Sequence, residues 1–95
     1  MNEDQWTKPP ADFRCVLFDR TSPAKNAQRF YLVGWLPTLL DDGAVVMLYG
    51  RKGVSQRTRI LPFPSLAVAW PTIRATIRAR LRHGYRIVLL TESEE

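Results

Sequence analysis

Five stretches of the chain combine apolar, aromatic and β-branched residues in short runs that are typical of β-strands. Proline, glycine, asparagine and serine interrupt the runs: Ser-Pro and Asn fall in one break, Pro37 and "LLDDG" in another, and "GRKG" in a third. Residues of these types favour turns because they adopt or preset the required backbone angles. The predicted strands cover residues 13–19, 29–36, 44–49 and 55–63, with a short fifth strand over 85–90.

The first strand, "FRCVLFD", alternates in a way that predicts one fully buried face. Phe13, Cys15 and Leu17 fall on one side, and Val16 and Phe18 on the other. Cys15 is the only cysteine, so the chain has no intramolecular disulfide framework and no cysteine-based zinc site. We expect Cys15 to be a buried, inert thiol.

The fourth strand, "SQRTRILPF", carries cations at alternate positions. Arg57 and Arg59 alternate with Gln56 and Thr58, and side chains two residues apart share a face of a strand. The pattern therefore predicts a strand with one basic face.

Residues 65–83 have the periodicity of an amphipathic helix, and Ser65 is a suitable N-cap. Gly84 suits the position after the helix C-terminus. Pro71 falls inside the pattern and predicts a kink, or a short first turn with a new helix beginning there. The apolar stripe consists of Leu66, Trp70, Ile73, Ile77 and Leu81.

These elements predict an α+β fold, in which an antiparallel sheet of four to five strands has one long helix packed on one face. Ninety-five residues are enough for a single core. We expect a flexible N-terminal arm over residues 1–12, one domain over 13–90 and an acidic tail over 91–95.

The charge balance points to an acidic partner. Hydrophobic residues make up 45% of the chain and charged residues 24%, and the formal net charge is +5. Only three cations are lysines, and the guanidinium fork of arginine suits phosphate. No apolar run is long enough to span a membrane, and the N-terminus lacks the apolar stretch of a signal peptide, so we expect a cytoplasmic protein with no membrane partner.

No catalytic or metal-binding constellation is present in the sequence. His83 falls at the predicted helix end, where capping explains it better than catalysis. Asp41 and Asp42 precede a glycine, as in many reversing turns, and no histidine or third carboxylate is close to them in sequence. We therefore expect no enzymatic activity, no cofactor and no metal.

Three segments in the same order resemble the WGR domain, which is named after its Trp-Gly-Arg signature and occurs in DNA-dependent poly(ADP-ribose) polymerases and in bacterial proteins. "LFDRTSPAKNAQRFYLV" is similar to the family's first two strands, and "PSLAVAWPTIRATIRARLRHGY" to its helix ending in Gly-Tyr. "YGRKGVSQ" resembles the signature turn. Here Tyr49 stands where the family has tryptophan, and Ser55 stands where a glycine usually precedes the glutamine.

The resemblance implies a nucleic-acid-binding module. In the polymerases the signature tryptophan packs on sugar at a DNA end, the arginine contacts the backbone and neighbouring domains, and a basic residue late in the helix touches DNA. Arg80 is the best match for that basic residue, with Arg82 as the alternative, and tyrosine still offers a stacking face. The predicted binding residues are Tyr49, Arg51, Lys52, Gln56, Arg57, Arg59, Arg80 and Arg82.

Two functions remain open at this point. The first is binding of nucleic acid, with DNA favoured, RNA not excluded, and ends or breaks as candidate targets. The second is a protein–protein interaction module or a homodimer without nucleic-acid binding, which would use an exposed apolar patch around Trp35 or Trp6.

Overall fold

A computed structural model describes residues 13–22, 27–37 and 43–92 of the chain. They form one antiparallel five-stranded sheet and one α-helix, which confirms the predicted α+β class and the fifth strand. The predicted N-terminal arm, the Asp41–Asp42 turn, the asparagine of the first predicted break (Asn26) and Trp6 lie outside the described residues. The elements are β1 (Phe13–Ser22), β2 (Ala27–Leu36), β3 (Gly43–Arg51), β4 (Ser55–Phe63), α1 (Leu66–Arg82) and β5 (Arg86–Glu92).

The strand order is β4-β3-β2-β1-β5, so β4 and β5 are the two edges of the sheet. The helix connects them and must therefore pass from one edge to the other across a single face. No helix of the described part of the chain is both long and apolar enough to cross a bilayer.

The core lies between this helix and the sheet. The stripe predicted from the sequence faces inward: Trp70, Ile73 and Ile77 are buried, and Leu66 and Leu81 pack at its ends. Burial of apolar side chains is the dominant stabilising contribution in a domain of this size. On the sheet side, the buried side chains are Phe13, Val16, Phe18, Val33, Val45 and Met47.

Phe13 departs from the predicted alternation of β1. The register of β1 against β5 shifts between Phe13 and Cys15, which marks a β-bulge, and the extra residue places Phe13 on the helix side. There its ring meets the edge of Trp70, with centroids 5.2 Å apart. The prediction that Phe13 shares a face with Cys15 and Leu17 is therefore wrong. Cys15 is half-buried rather than buried.

Among the described residues no helix covers the opposite side of the sheet, which we call the open face. Two rows of laterally paired residues form its centre, and neither row contains a charged side chain. Ile60 and Leu89 are 62% and 52% exposed there. The first row is Cys15, Gly34, Val46 and Ile60; the second is Leu89, Leu17, Leu32, Leu48 and Thr58.

Trp35, a sequence candidate for an exposed apolar patch, instead packs against the core on the helix side. Its ring lies directly over Gly43, where any Cβ would overlap the indole atoms. Trp35 is therefore part of the packing and not an exposed anchor.

The helix ends follow the sequence signals. The Ser65 hydroxyl accepts a hydrogen bond from the Val68 amide at 3.2 Å, as an N-cap does. At the other end the Tyr85 amide bonds to the Arg80 carbonyl, and the Gly84 amide bonds to the Leu81 carbonyl. With Gly84 at a φ of 86°, this is a Schellman motif, and His83 is the C-cap.

Pro71 does not begin a new helix. The helix runs without a break from Leu66 to Arg82, so that alternative prediction is wrong. Pro71 is exposed and is the sixth helical residue, where the missing amide leaves the Ala67 carbonyl without its helical donor. Ala67 is also exposed, and water can satisfy its carbonyl.

Replacing Ser65 with alanine is expected to lower the free energy of unfolding by about 1 kcal/mol, because the Val68 amide loses the hydroxyl that caps it. Urea unfolding followed by circular dichroism measures the change. Ser65→Asp retains an acceptor and should keep the wild-type value, whereas equal losses in both variants would contradict the capping role.

Candidate nucleic-acid interface

A cleft opens on the helix side of the sheet, where β2 begins, β3 ends and the helix finishes. Its volume is about 410 Å³. It is lined by three tyrosines and four arginines, and among the described residues no carboxylate lines it. The lining consists of Arg29, Tyr31, Tyr49, Gly50, Arg51, Val54, Ser55, Arg57, Arg80 and Tyr85.

The three tyrosines form one aromatic cluster. Tyr31 and Tyr49 are directly paired across β2 and β3, and their rings stack with centroids 5.1 Å apart and planes 12° apart. Tyr85, just after the helix, meets Tyr31 edge-on at 6.3 Å. Because one face of the Tyr49 ring lies on Tyr31, only its other face is available to a ligand.

The flat guanidinium of Arg80 packs against this aromatic cluster. The central carbon of the guanidinium lies 4.7 Å from the Tyr31 ring centroid and 5.4 Å from that of Tyr85. A cation over aromatic faces is attracted by their negative charge density. The Arg80 Nε is buried and has no hydrogen-bond partner in the described part of the chain, whereas Nη2 lies 3.5 Å from His83 Nδ1. The two ring contacts and this one polar contact orient the group.

The Tyr31 hydroxyl is partly buried and donates to the Met47 sulfur at 3.5 Å. Burial raises the pKa of the Tyr31 phenol, and the positive charge of Arg80 acts in the opposite direction. Tyr31 therefore stays neutral at physiological pH and serves as a support for Tyr49 and Arg80.

The turn after Tyr49 is shaped by two glycines with different roles. The Val54 amide bonds to the Arg51 carbonyl at 3.0 Å and closes a four-residue turn, in which Gly53 has a φ of 74°. Gly50 is needed for space, since a Cβ there would overlap the backbone carbonyl of Ser55. The signature glycine thus allows β4 to start close against β3.

The strand arginines reach the cleft through the register of the sheet. Arg57 is directly opposite Tyr49 on the side away from Tyr31, and Arg29 is directly opposite Arg51 in the next row toward the strand ends. Arg59 is opposite Met47 on the same face, and its charge acts on the Tyr31 phenol. It is not one of the residues that line the cleft.

Lys52 points to a different partner. Its ammonium lies 3.6 Å from Asp19 Oδ2, and Arg86 Nε donates to Asp19 Oδ1 at 2.8 Å. The hydrogen bond from Arg86 and the two positive charges hold the pKa of the Asp19 carboxyl below its ordinary value. Lys52 is therefore engaged in an ion pair outside the cleft, and its amide also anchors the turn to the Gln28 carbonyl.

The cleft contains four of the predicted binding residues and lacks the other four. Tyr49, Arg51, Arg57 and Arg80 line it, whereas Lys52, Gln56, Arg59 and Arg82 do not. Gln56 belongs to a separate shallow depression with Phe30 and Gly53. Arg82 is exposed on the last turn of the helix.

Sequence reasoning missed Arg29, Tyr31 and Tyr85 as binding candidates. "RFY" and the Gly-Tyr after the helix were visible, but only as marks of the family resemblance. The available signal was the alternation within "RFY", which places Arg29 and Tyr31 on one face of a strand. The pairing of Tyr31 with Tyr49 required the register of β2 against β3.

The arrangement can bind an anion that carries a flat or sugar surface. Arginine forks bind phosphate oxygens, and an aromatic face stacks on a base or a sugar. Among residues 13–22, 27–37 and 43–92, no group of three histidine, cysteine, aspartate or glutamate side chains could hold a metal ion.

Comparison with known proteins identifies the family of this chain. No curated protein and no solved structure matches the chain. The family model of the WGR domain matches residues 14–91, which include every strand and the helix that build the cleft. The chain therefore belongs to the WGR domain family.

Proposed function

We propose that this WGR domain binds DNA through the cleft, with a strand end or break as its target. The family as a whole consists of binding modules rather than catalytic domains, and nucleic-acid interaction is its general property. The observation that carries the proposal is the meeting of four arginines and three tyrosines from β2, β3, β4, α1 and the segment after it in one cleft.

The size of the cleft supports a strand end as the target. A space of about 410 Å³ is of the order that takes one small ligand, so a complete duplex must remain outside it. A terminal or nicked strand can place one nucleotide against the free face of Tyr49, while Arg51 and Arg57 bind the neighbouring phosphates.

Tyrosine in place of the signature tryptophan retains this geometry with a smaller ring. The stack on Tyr31 fixes the orientation of Tyr49, so the ring needs no rearrangement to receive a ligand. We infer that support from Tyr31 compensates for the smaller stacking surface.

Fluorescence anisotropy with an internally labelled duplex tests the proposal. Contacts from three or four arginines predict a log–log salt dependence with a slope of roughly −3, because each neutralised phosphate contributes about −0.9. Unlabelled linear, nicked and covalently closed duplexes then compete for the protein. The linear and nicked forms should compete best; equal competition by the closed form would refute the end preference, and salt-independent binding would refute the cleft as a phosphate site.

A further inference from the structure

We propose that three arginines, side by side on β1, β2 and β3, form a phosphate-binding row that continues from the cleft and holds the backbone of the same DNA strand. We call Arg20, Arg29 and Arg51 the arginine row. Its outer member, Arg20, is not one of the residues that line the cleft. The inference rests on the proposed function, because the strand must first place a nucleotide in the cleft.

The register of the sheet builds the arginine row. Arg20 is directly opposite Arg29, and Arg29 is directly opposite Arg51. Arg29 and Arg51 line the cleft on the helix side. Phe18 is buried on that side, and side chains two residues apart share a face of a strand, so Arg20 also lies there. The three cations therefore form one line across three strands, on the face that carries the cleft.

The arginine row is unfavourable for the sheet itself. Like charges directly opposite each other on neighbouring strands are destabilising. The Lys52 amide bonds to the Gln28 carbonyl at 2.9 Å, so the adjacent pair Arg29–Arg51 is of the non-hydrogen-bonded type, in which side chains are closer together. Sequences depart from such folding preferences mainly at functional sites. The departure therefore points to a bound anion that offsets the repulsion.

The described part of the chain provides no acid that could neutralise the arginine row. Its carboxylates are those of Asp19 and Glu92. Asp19 is on the opposite face of β1 from Arg20, where it pairs with Lys52 and Arg86. Glu92 pairs with Phe13, roughly 20 Å away along β1. The neutralising group must therefore come from a ligand.

Arg20 is positioned beside the cleft by the segment after the helix. The central carbon of its guanidinium lies 6.0 Å from the Tyr85 ring centroid, and its Nε lies 3.8 Å from the place that a Cβ on Gly84 would occupy. Tyr85 also lines the cleft. Within the described residues Arg20 has no hydrogen-bond acceptor, so its N–H groups are available to phosphate oxygens.

The length of the arginine row suits a short stretch of one strand. Neighbouring strands are about 4.8 Å apart, so Arg20 and Arg51 are attached roughly 10 Å from each other. Successive phosphates of a DNA strand are about 3.4 Å apart along the axis of a duplex. The row can therefore contact two or three phosphates. A strand with one nucleotide in the cleft would continue past Arg29 to Arg20.

Isothermal titration calorimetry with thymidine oligonucleotides of one, two, three and four phosphates tests the row. Wild-type affinity should rise by about 10-fold on addition of the phosphate that reaches Arg20. Arg20→Gln should lose that gain and bind the shortest oligonucleotide as the wild type does. For the longest oligonucleotide, the magnitude of its log–log salt slope should fall by about 0.7, the contribution of one phosphate on a single strand.

Arg14→Gln is the matched control, because it removes the same charge at an exposed position near the other end of β1. It should keep every gain in affinity that the wild type shows. The arginine row is overturned if Arg20→Gln follows the wild type at all lengths, if Arg14→Gln loses the gain equally, or if the wild type does not bind the longest oligonucleotide. Each of these results leaves duplex binding to be judged by the anisotropy assay, whose failure would overturn the proposed function itself.

Discussion

Replacing Gly50 with alanine is expected to lower the free energy of unfolding by roughly 3 kcal/mol, at the upper end of overpacking effects. The new Cβ would overlap the Ser55 carbonyl oxygen and approach the Gln56 Cα, and both are backbone atoms that no rotamer change can move aside. The start of β4 must therefore shift away from β3. Urea unfolding measures the loss of stability.

Gly50→Ala should also weaken DNA binding, because Arg51 and Arg57 are attached to the two strand ends that move apart. Gly53→Ala is the matched control within the same turn. Its Cβ meets no atom within 4 Å, so only the φ of 74° disfavours alanine, at a cost of about 1–2 kcal/mol. Equal effects of the two substitutions on DNA affinity would contradict the spatial role of Gly50.

Reversing the charge of Arg57 is expected to reduce DNA affinity by about 50-fold, since loss of one arginine contact costs about 1–3 kcal/mol and glutamate adds repulsion. Arg57 lies directly opposite Tyr49 and lines the cleft. The magnitude of the salt slope should also fall by about 1. Anisotropy titrations at several salt concentrations measure both quantities.

Arg14→Glu is the control for Arg57→Glu, because it changes the net charge equally at an exposed position near the other end of the sheet. It should lower DNA affinity by less than about 5-fold, through the long-range field alone. If Arg14→Glu weakens binding as much as Arg57→Glu, net charge and not the cleft accounts for the affinity.

The features that sequence predicted correctly are those determined by local patterns. Ser65 and Gly84 specify the helix ends through hydrogen bonds to residues at most five positions away. The alternation along β4 places Arg57 and Gln56 on opposite faces of the strand, and this prediction does not depend on which strands lie beside β4. These signals depend on backbone geometry, which the local sequence largely decides.

The features that sequence could not predict depend on register between distant segments. The bulge that moves Phe13 to the helix side is defined only by the pairing of β1 with β5. Lys52 was predicted to bind nucleic acid, and its ion pair with Asp19 joins residues far apart in the chain. Alternation in β1 predicted one fully buried face, but apolar residues on both sides of a strand cannot reveal which side a helix covers.

The strand pairing beside the bulge also brings the first and last described residues close together. Phe13 pairs with Glu92, so the chain enters and leaves the sheet at adjacent points. From Phe13 to Asp19, β1 extends for roughly 20 Å toward the end of the sheet at which the cleft lies. A fluorophore, an affinity tag or a fused protein attached directly at Phe13 or Glu92 would therefore begin away from the cleft. The same proximity would allow this unit to be inserted into a surface loop of a host protein with little strain on the host.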